Sequence, residues 1–181
     1  NLLLKLKELG SKVTIVDSLG VNNLLSVISN SNNLKNPSLS KSILDERFYL
    51  LKKNNIQIIS QDARDYHGLS KVLSSIKPNV LIHLAAISHA AKSNKDPRST
   101  FDHNLRTLEN SLDYSKNNVE HFIYFSSSMV YGNFTQDKVD ENSICDPIGI
   151  YGALKYAGEK IVKAYGQVFN LNYTIVRPSA L

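Results

Sequence analysis

The sequence predicts an α/β fold in which a doubly wound parallel sheet is covered by helices, and which is incomplete at both ends. Three observations lead to this prediction. Strand-like segments alternate with helical ones, several strands are apolar on both faces, and polar or small residues directly follow the strand ends. Such alternation is typical of βαβ units, and strands that are apolar on both faces are typical of a parallel sheet buried between helices.

The individual elements follow from local patterns. β-Branched and aromatic residues predict strands at 13–17, 56–60, 80–84, 122–125 and 173–176. Apolar residues at helical spacing predict helices at 2–9, 43–53, 67–77, 98–117 and 150–169. Gly10 ends the first helix, and Pro78 ends the third. Residues 21–42 are rich in Asn, Ser and Leu without a clear period, so we expect a long loop with some helix.

The composition is that of one globular domain. The chain has 181 residues, 42% of them hydrophobic and 20% charged, which is enough to build a sizeable core. One cysteine, Cys145, excludes a disulfide within the chain and suits a reducing cytosol, so we expect a cytoplasmic protein. No apolar run reaches the roughly 18 residues of a membrane span. A net charge of +5 without a dense Lys/Arg block disfavours nucleic acid as a partner.

Two carboxylates and two alanines stand where a parallel sheet places its ligands, outside the carboxyl ends of the strands. Asp17 can accept hydrogen bonds from both ribose hydroxyls of an adenosine, which favours NAD over NADP, or it can cap a turn. Asp62 can accept a bond from an adenine amino group or form an Asx-turn. Ala85 and Ala86 permit close approach of a ligand, but tight helix–strand packing requires the same small side chains.

The strongest signal for catalysis is the pair Tyr151 and Lys155, which share one face of a predicted helix. An ammonium beside a phenol stabilises the phenolate, and this makes a tyrosine usable as an acid or base near neutral pH. Ser127 ends a predicted strand and can donate a hydrogen bond to the same reacting oxygen.

The Y-x-x-x-K spacing alone is weak evidence, because Tyr49/Lys53 and Tyr156/Lys160 also match it. Tyr156 lies about 140° around the helix from Tyr151 and cannot share its site. Only Tyr151 follows a strand-end serine run at a suitable distance. Neither His83 nor His89 has metal-ligand spacing with another histidine or with Cys145, and Cys145 has no neighbouring histidine that would make it a catalytic thiol. No metal is therefore expected.

Taken together, these residues resemble the extended short-chain dehydrogenase/reductase family, in particular its nucleotide-sugar epimerases and dehydratases. The matching stretches are VTIVDSLG (13–20), QDARD (61–65), LIHLAA (81–86), FSSSMVYG (125–132), YGALK (151–155) and IVRPSA (175–180). The resemblance covers nearly the whole chain in the expected order. It implies a Rossmann-like fold, NAD as cofactor, a nucleotide-sugar substrate and a homodimer.

The resemblance also assigns roles to residues. It implies a cofactor-binding set made of Asp17, Asp62, Ala63, Leu84, Ala85, Ala86, Asn104, Tyr151, Lys155 and Pro178. In this set Asp17 holds the adenosine ribose, Asp62 and the Ala63 backbone hold the adenine, and residues 84–86 line the dinucleotide. Pro178 is expected near the nicotinamide. The implied catalytic residues are Ser127, Tyr151 as the acid/base, and Lys155 as its partner and a ribose ligand.

Two positions depart from the family pattern, and one of them narrows the range of expected activities. Thr107 stands where the family usually has a glycine, and Met129 stands where its dehydratases and decarboxylases carry a glutamate, with Ser128 before it. A thioether cannot exchange a proton, so the sequence favours epimerisation, most simply at C4. The alternatives are a nucleotide-sugar 4-reductase, a 4,6-dehydratase of the same family, or a non-catalytic dinucleotide-binding module.

The chain begins within a helical pattern that no capping residue precedes, and it ends just after a strand-like run. Residues 1–181 are therefore expected to be a fragment of an NAD-binding domain. By resemblance, the first strand and its glycine-rich phosphate turn precede Asn1, and most of the substrate domain follows Leu181. We expect residues 1–181 alone to be inactive and to bind NAD poorly, since the pyrophosphate would lack its turn. Calorimetric titration with NAD checks this expectation, and a micromolar dissociation constant would contradict it.

Overall fold

The computed structural model describes residues 2–20, 36–87, 90–133 and 138–179. His89 and residues 21–35 of the predicted loop lie outside these ranges. The chain divides into two compact units, Asn1–Asp62 and Ala63–Leu181. No helix in the described ranges is long and apolar enough to cross a membrane.

The first unit contains two helices and a parallel pair of strands. Its elements are α1 (Leu2–Glu8), β1 (Thr14–Asp17), α2 (Pro37–Lys53) and β2 (Gln57–Ser60), with β1 and β2 paired from Thr14 opposite Gln57 to Asp17 opposite Ser60. Helix α2 begins six residues before the predicted start at 43. The reason is local: the Asn36 side chain accepts a hydrogen bond from the Leu39 amide, and Pro37 occupies the first helical position.

The second unit is built on a three-stranded parallel sheet. Its elements are α3 (Tyr66–Ile76), β3 (Val80–His83), α4 (Ala90–Lys95), α5 (Pro97–Phe101), a π-helical turn (Asp102–Arg106), α6 (Thr107–Ser115), β4 (His121–Phe125), a 3₁₀ turn (Ser128–Tyr131), α7 (Gly149–Phe169) and β5 (Tyr173–Val176). Strand β4 lies between β3 and β5, and both of its pairings are parallel. The predicted α/β class and parallel pairing are confirmed.

The core of the second unit lies where α6 and α7 pack on the sheet. Its fully or nearly fully buried members are Leu108, Leu112, Phe122, Tyr124, Val162 and Leu171. Two of them, Leu108 and Leu112, belong to the apolar stripe from which a helix was predicted. The interior of this unit is therefore organised around β4, the central strand.

The predicted single helix at 98–117 is wrong in its continuity. Asp96 caps a short helix by accepting a hydrogen bond from the Ser99 amide, and the chain then passes through the π-helical turn before α6 begins at Thr107. A π-helical turn widens the helix by one residue and is frequent at functional sites. The widened turn places Asn104 inside the unit, where only 3% of its surface is exposed.

Two glycines of α7 allow the helix to lie close to β4 and to the 3₁₀ turn that follows it. A methyl group on Gly158 would lie 2.3 Å from the Tyr124 hydroxyl oxygen and 2.8 Å from the ring carbon that carries it. A methyl group on Gly152 would lie 2.7 Å from the Met129 carbonyl oxygen. Larger side chains at these two positions would push α7 away from the strand and from the 3₁₀ turn.

We expect Gly158→Ala to destabilise the fold by about 1–2 kcal/mol, although alanine is the better helix former by about 1 kcal/mol. The steric conflict with the buried Tyr124 side chain costs more than this gain. Chemical denaturation measures the difference, and Tyr124→Phe in the same background should recover part of the loss by removing the hydroxyl oxygen. An increase in stability on Gly158→Ala would contradict the close approach.

Candidate active site

The candidate site lies in the second unit, at the edge where β3, β4 and β5 end. Backbone pairing continues beyond the last strand residues: the Ser126 amide donates to the Val176 carbonyl at 2.8 Å, and the Ser128 amide donates to the Pro178 carbonyl at 3.1 Å. The segments that follow β4 and β5 therefore run side by side. This pairing brings two predicted site residues, Ser127 and Pro178, onto neighbouring segments.

Ser127 has an extended backbone and begins the 3₁₀ turn. Its Oγ accepts a hydrogen bond from the Met129 amide at 3.2 Å, which caps the turn. The side chain is half-buried. A serine oxygen that accepts this bond still carries its own proton, so the hydroxyl remains a possible donor to a ligand at the edge of the sheet.

Helix α7 carries Tyr151 in its first turn, and contacts from distant segments fix that turn. The Oδ1 atom of Asn94 accepts a hydrogen bond from the Ile150 amide at 3.3 Å, which supplies a cap that α7 lacks in its own sequence. Gly152 lies against the Met129 carbonyl. The turn that carries Tyr151 is thereby packed directly on the turn that follows Ser127.

Lys155 lies one helical turn further along α7 and is almost entirely buried, with 4% of its surface exposed. Its Nζ donates a hydrogen bond to the Phe125 carbonyl at 2.7 Å and lies 5.1 Å from the centroid of the Tyr124 ring. Burial lowers the pKa of the Lys155 ammonium to about 8. The side chain is therefore held at the end of β4, and it loses its proton more readily than an exposed lysine does.

The three predicted catalytic residues lie around this edge, but they are not hydrogen-bonded to one another. Within the described ranges, the Tyr151 hydroxyl forms no hydrogen bond with Ser127 or Lys155, and Lys155 donates to the Phe125 carbonyl instead. The buried Tyr124 lies beneath them. Its pKa is raised by burial, then by the charge of Glu159, and then by Tyr151. The roles assigned to Ser127, Tyr151 and Lys155 stay predictions.

The loop after β3 presents the small side chains that the sequence singled out. Leu84 and Ala85 are exposed and Ala86 is half-buried. The π-helical turn holds this loop, since the Asn104 Oδ1 accepts a hydrogen bond from the Ile87 amide at 2.8 Å. The Asn104 Nδ2 is buried and has no hydrogen-bond partner in the described part of the chain.

Thr107, which departs from the family pattern, also contacts this loop. Its Oγ1 lies 2.7 Å from the His103 carbonyl oxygen and 3.4 Å from the Ala85 carbonyl oxygen. The threonine side chain is buried. It therefore fills space beneath Ala85 that a glycine would leave open.

Sequence reasoning missed Asn110, which fixes the turn at the start of the second unit. Its Nδ2 lies 2.9 Å from each of the carbonyl oxygens of Ala63 and Arg64, and its side chain is buried on α6. The predicted contribution of Ala63 is a backbone contact, and Asn110 determines where that backbone lies. Only its position on a helix facing the sheet could have indicated this role.

The two predicted carboxylates lie in the first unit. Asp17 Oδ1 accepts a hydrogen bond from the Leu19 amide at 2.7 Å, so its interpretation as a turn-capping residue is confirmed. This bond occupies one carboxylate oxygen, and the ribose-binding role stays a prediction. Asp62 is half-buried after the end of β2, and its carbonyl accepts a bond from the Gln61 side chain at 3.1 Å.

The remaining candidates have structural roles. The ring of His83 is buried and packs against the rings of Phe122 and Tyr124 on the neighbouring strand. Its Nδ1 lies 3.1 Å from Ser111 Oγ. Burial together with the charge of Lys155 lowers its pKa to about 3. His83 is therefore a neutral core residue. The described residues contain no group of three or more side chains that could hold a metal ion.

The two other Y-x-x-x-K pairs form a different contact. Lys53 Nζ lies 5.9 Å from the centre of the Tyr49 ring, and Lys160 Nζ lies 4.9 Å from the centre of the Tyr156 ring. Each ammonium thus faces an aromatic ring, and the tyrosine of the first pair is exposed. Neither pair lies at the end of a strand.

Comparison with known proteins gives consistent matches. A model of the NAD dependent epimerase/dehydratase family matches residues 1–181. Protein CapI of Staphylococcus aureus is 31% identical over 144 residues, which make up 78% of this chain and 43% of that protein. UDP-glucuronate 4-epimerase 6 of Arabidopsis thaliana is 31% identical over 151 residues, 82% of this chain and 32% of that protein.

The fold is also that of a solved structure. A crystal structure of UDP-glucose 4-epimerase superposes with a TM-score of 0.74 over 97% of this chain and 46% of that chain, at 23% sequence identity, and this similarity concerns the fold. The chain spans less than half the length of each of these relatives.

We expect the buried Lys155 to make the free energy of unfolding depend on pH in the alkaline range. Between its folded pKa of about 8 and the ordinary value of 10.5, the unfolded chain binds a proton that the folded chain has lost. The free energy of unfolding should therefore rise over this interval by about 3 kcal/mol from this residue. Urea denaturation across the interval measures the rise, and Lys155→Met should abolish that part of it. Parallel profiles for the wild type and the variant would contradict the assignment.

Proposed function

The chain belongs to the NAD-dependent epimerase/dehydratase family, and from this membership we propose that the protein that carries it epimerises a nucleotide sugar at C4 through a transient keto sugar. The observation that carries the proposal is the buried Lys155, held at the end of β4 one helical turn from Tyr151. A binding module has no need for a buried ammonium on the same helix face as Tyr151 at the carboxyl edge of the sheet. The curated relative from Arabidopsis thaliana, named as a UDP-glucuronate 4-epimerase, supports the C4 assignment.

The residues of the second unit fit a dinucleotide at this edge. Exposed small and apolar side chains after β3 leave the backbone accessible, and the buried Asn104 amide behind them has a donor without a partner. Accessible backbone and small side chains at the carboxyl edge of a parallel sheet are typical of a dinucleotide site. When bound, NAD supplies the reversible two-electron oxidation of the sugar carbon.

In the proposed mechanism, Tyr151 removes the proton from the sugar hydroxyl as the carbon is oxidised and returns it after reduction on the opposite face. Lys155 favours the phenolate by its charge and binds the ribose, so its position determines how readily Tyr151 exchanges a proton. Ser127 donates a hydrogen bond to the reacting oxygen and orients the sugar. Tyr151 and Ser127 lie on segments packed against each other through Gly152 and Met129.

Position 129 favours epimerisation over elimination. The Met129 side chain is exposed next to Ser127, with 42% of its surface accessible, and a thioether neither gives nor takes a proton. Dehydration requires an acid that protonates the departing hydroxyl. Epimerisation returns the electrons to the same carbon and needs no such group.

We further propose that the protein is a cytoplasmic homodimer in which α7 contributes to the interface. The last turn of α7 exposes Val168 and Phe169, with 71% and 42% of their surfaces accessible. Light scattering on the protein that carries this chain tests the oligomeric state, and a monomer would overturn this part of the proposal.

The test of the activity is conversion of UDP-glucose and of UDP-glucuronate to their C4 epimers by the protein that carries this chain. Product should form without net consumption of NAD, since the cofactor is regenerated in each turnover. With a UDP-4-keto sugar as substrate, stoichiometric oxidation of NADH would instead identify a 4-reductase. The absence of turnover with any of these sugars, together with NAD binding, would identify a binding module.

We expect Tyr151→Phe to lower kcat by about 10²- to 10⁴-fold, because it removes the group that exchanges the proton. Tyr156→Phe is the matched control, since Tyr156 belongs to the same helix and to the same Y-x-x-x-K pattern but faces away from Tyr151. The control should retain wild-type turnover. Near-normal activity of Tyr151→Phe would reject the assignment.

A further inference from the structure

A second charged residue of α7 is buried one turn beyond Lys155. Glu159 is fully inaccessible, and both of its carboxylate oxygens are bonded. Oε1 accepts hydrogen bonds from Ser126 Oγ at 2.6 Å and from Arg177 Nε at 2.8 Å, and Oε2 accepts one from Arg177 Nη2 at 2.7 Å. The carboxylate thus accepts two hydrogen bonds from the Arg177 guanidinium and one from the Ser126 hydroxyl.

Arg177 continues this network beyond Glu159. Its Nη1 donates to the Tyr131 hydroxyl at 3.0 Å and lies 3.3 Å from the Glu141 carbonyl oxygen. Tyr131 belongs to the 3₁₀ turn that Ser127 begins, and Glu141 belongs to the segment that leads into α7. The guanidinium therefore joins the end of β5 to the 3₁₀ turn, to the segment before α7 and to α7 itself.

The network adjoins each predicted catalytic residue without including any of them. Ser126, bonded to Glu159, directly precedes Ser127, and Arg177 directly precedes Pro178. Tyr151, Lys155 and Glu159 follow one another at intervals of four residues, so they share one face of α7.

Two successive residues of β4's end are held by two successive turns of α7. Lys155 Nζ bonds the Phe125 carbonyl, and Glu159 bonds the Ser126 hydroxyl. One bond alone would allow the helix to pivot about it, whereas two bonds set the position of α7 along the strand. The location of Ser127 relative to the Tyr151 turn follows from that position.

Stability alone does not account for this arrangement. Removing two charges from water is costly, and buried ion pairs are often replaceable by apolar side chains without loss of stability. A planar, two-point Arg–carboxylate contact does fix geometry, because both side chains must keep one relative orientation.

On the basis of the proposed function, we propose that Glu159 and Arg177 are positioning residues that hold Ser127 and the Tyr151–Lys155 face of α7 in the register required for proton transfer. Neither side chain is expected to touch substrate or cofactor. Their loss should lower kcat by about 10²-fold, the effect of a displacement of about 1 Å at a reacting group, with KM for the nucleotide sugar changed by less than about threefold.

The test compares variants of the protein that carries this chain. Glu159→Gln leaves Arg177 without its charge partner and is expected to weaken the fold, so the decisive variant is the double change Glu159→Gln with Arg177→Met, which removes both charges. Lys5→Met with Glu8→Gln is the matched control, because it removes an exposed ion pair on α1. Steady-state kinetics and circular dichroism are measured for each.

We expect the double variant to keep the wild-type circular dichroism spectrum and to lose turnover, while the control keeps both. Arg177→Lys, which retains the charge without the two-point contact, should lose turnover almost as fully. A folded double variant with wild-type kcat would overturn the proposal. A folded double variant in which KM rises while kcat stays at the wild-type value would also overturn it. A double variant that does not fold would also overturn it, since the pair would then serve the fold as a whole.

A second measurement separates this proposal from the proposed function. NMR titration of ¹³C-labelled lysine, assigned with Lys155→Arg, measures the Lys155 midpoint, which we expect near 8 because burial lowers the pKa of this ammonium to about 8. In the double variant the midpoint should move up towards the ordinary value, because a helix no longer held in register admits water to Lys155. If the wild type shows no epimerase activity, the proposed function fails, and this midpoint alone decides the role of the pair. An unchanged midpoint would reject it.

Discussion

The burial of the Lys155 ammonium against the Phe125 carbonyl is the contact on which the arrangement of the second unit depends. A charge placed at the end of β4 with 4% exposure needs an acceptor, and the Phe125 carbonyl accepts a hydrogen bond from it at 2.7 Å. The contact fixes α7 at the edge where the parallel strands end. Burial of the ammonium lowers the pKa of Lys155 to about 8, so the packing of α7 on the sheet affects the protonation of this side chain.

Small residues make this contact geometrically possible. Gly152 and Gly158 remove the side chains that would separate α7 from the 3₁₀ turn and from Tyr124. A glycine in the middle of a helix weakens it by up to about 1 kcal/mol. The helix therefore gives up some intrinsic stability, and in return its Lys155 face reaches the end of the strand.

The segments around the edge are fixed by three asparagine side chains, of which sequence reasoning identified only Asn104, and identified it as a cofactor ligand. Asn104 holds the loop after β3, Asn110 holds the turn at Ala63, and Asn94 caps α7. Each amide bonds the backbone of a different element. Rigid loops at the carboxyl edge of a parallel sheet are what a ligand site of this fold class requires.

The order of strands and helices could be read from the sequence, because β-branched runs and helical apolar spacing are properties of neighbouring residues. The choice of Tyr151 among three Y-x-x-x-K matches rests on the serine run at the end of β4 and on the helix start after Pro147, and it stays a prediction. The interruption of the helix at 102–106 was missed, because a π-helical turn differs from an α-helix by a single inserted residue and leaves the apolar stripe intact.

What the sequence by itself determined is the fold class and the residues that stand at the strand ends, since both follow from local periodicity. What only the tertiary structure decided is which side chains those residues contact. The bonds of Glu159 to Ser126 and Arg177 join residues 33 and 18 positions apart, and that of Lys155 to Phe125 spans 30 positions. No local pattern encodes such pairs, because they form only when packing of the helix on the sheet excludes water from both partners.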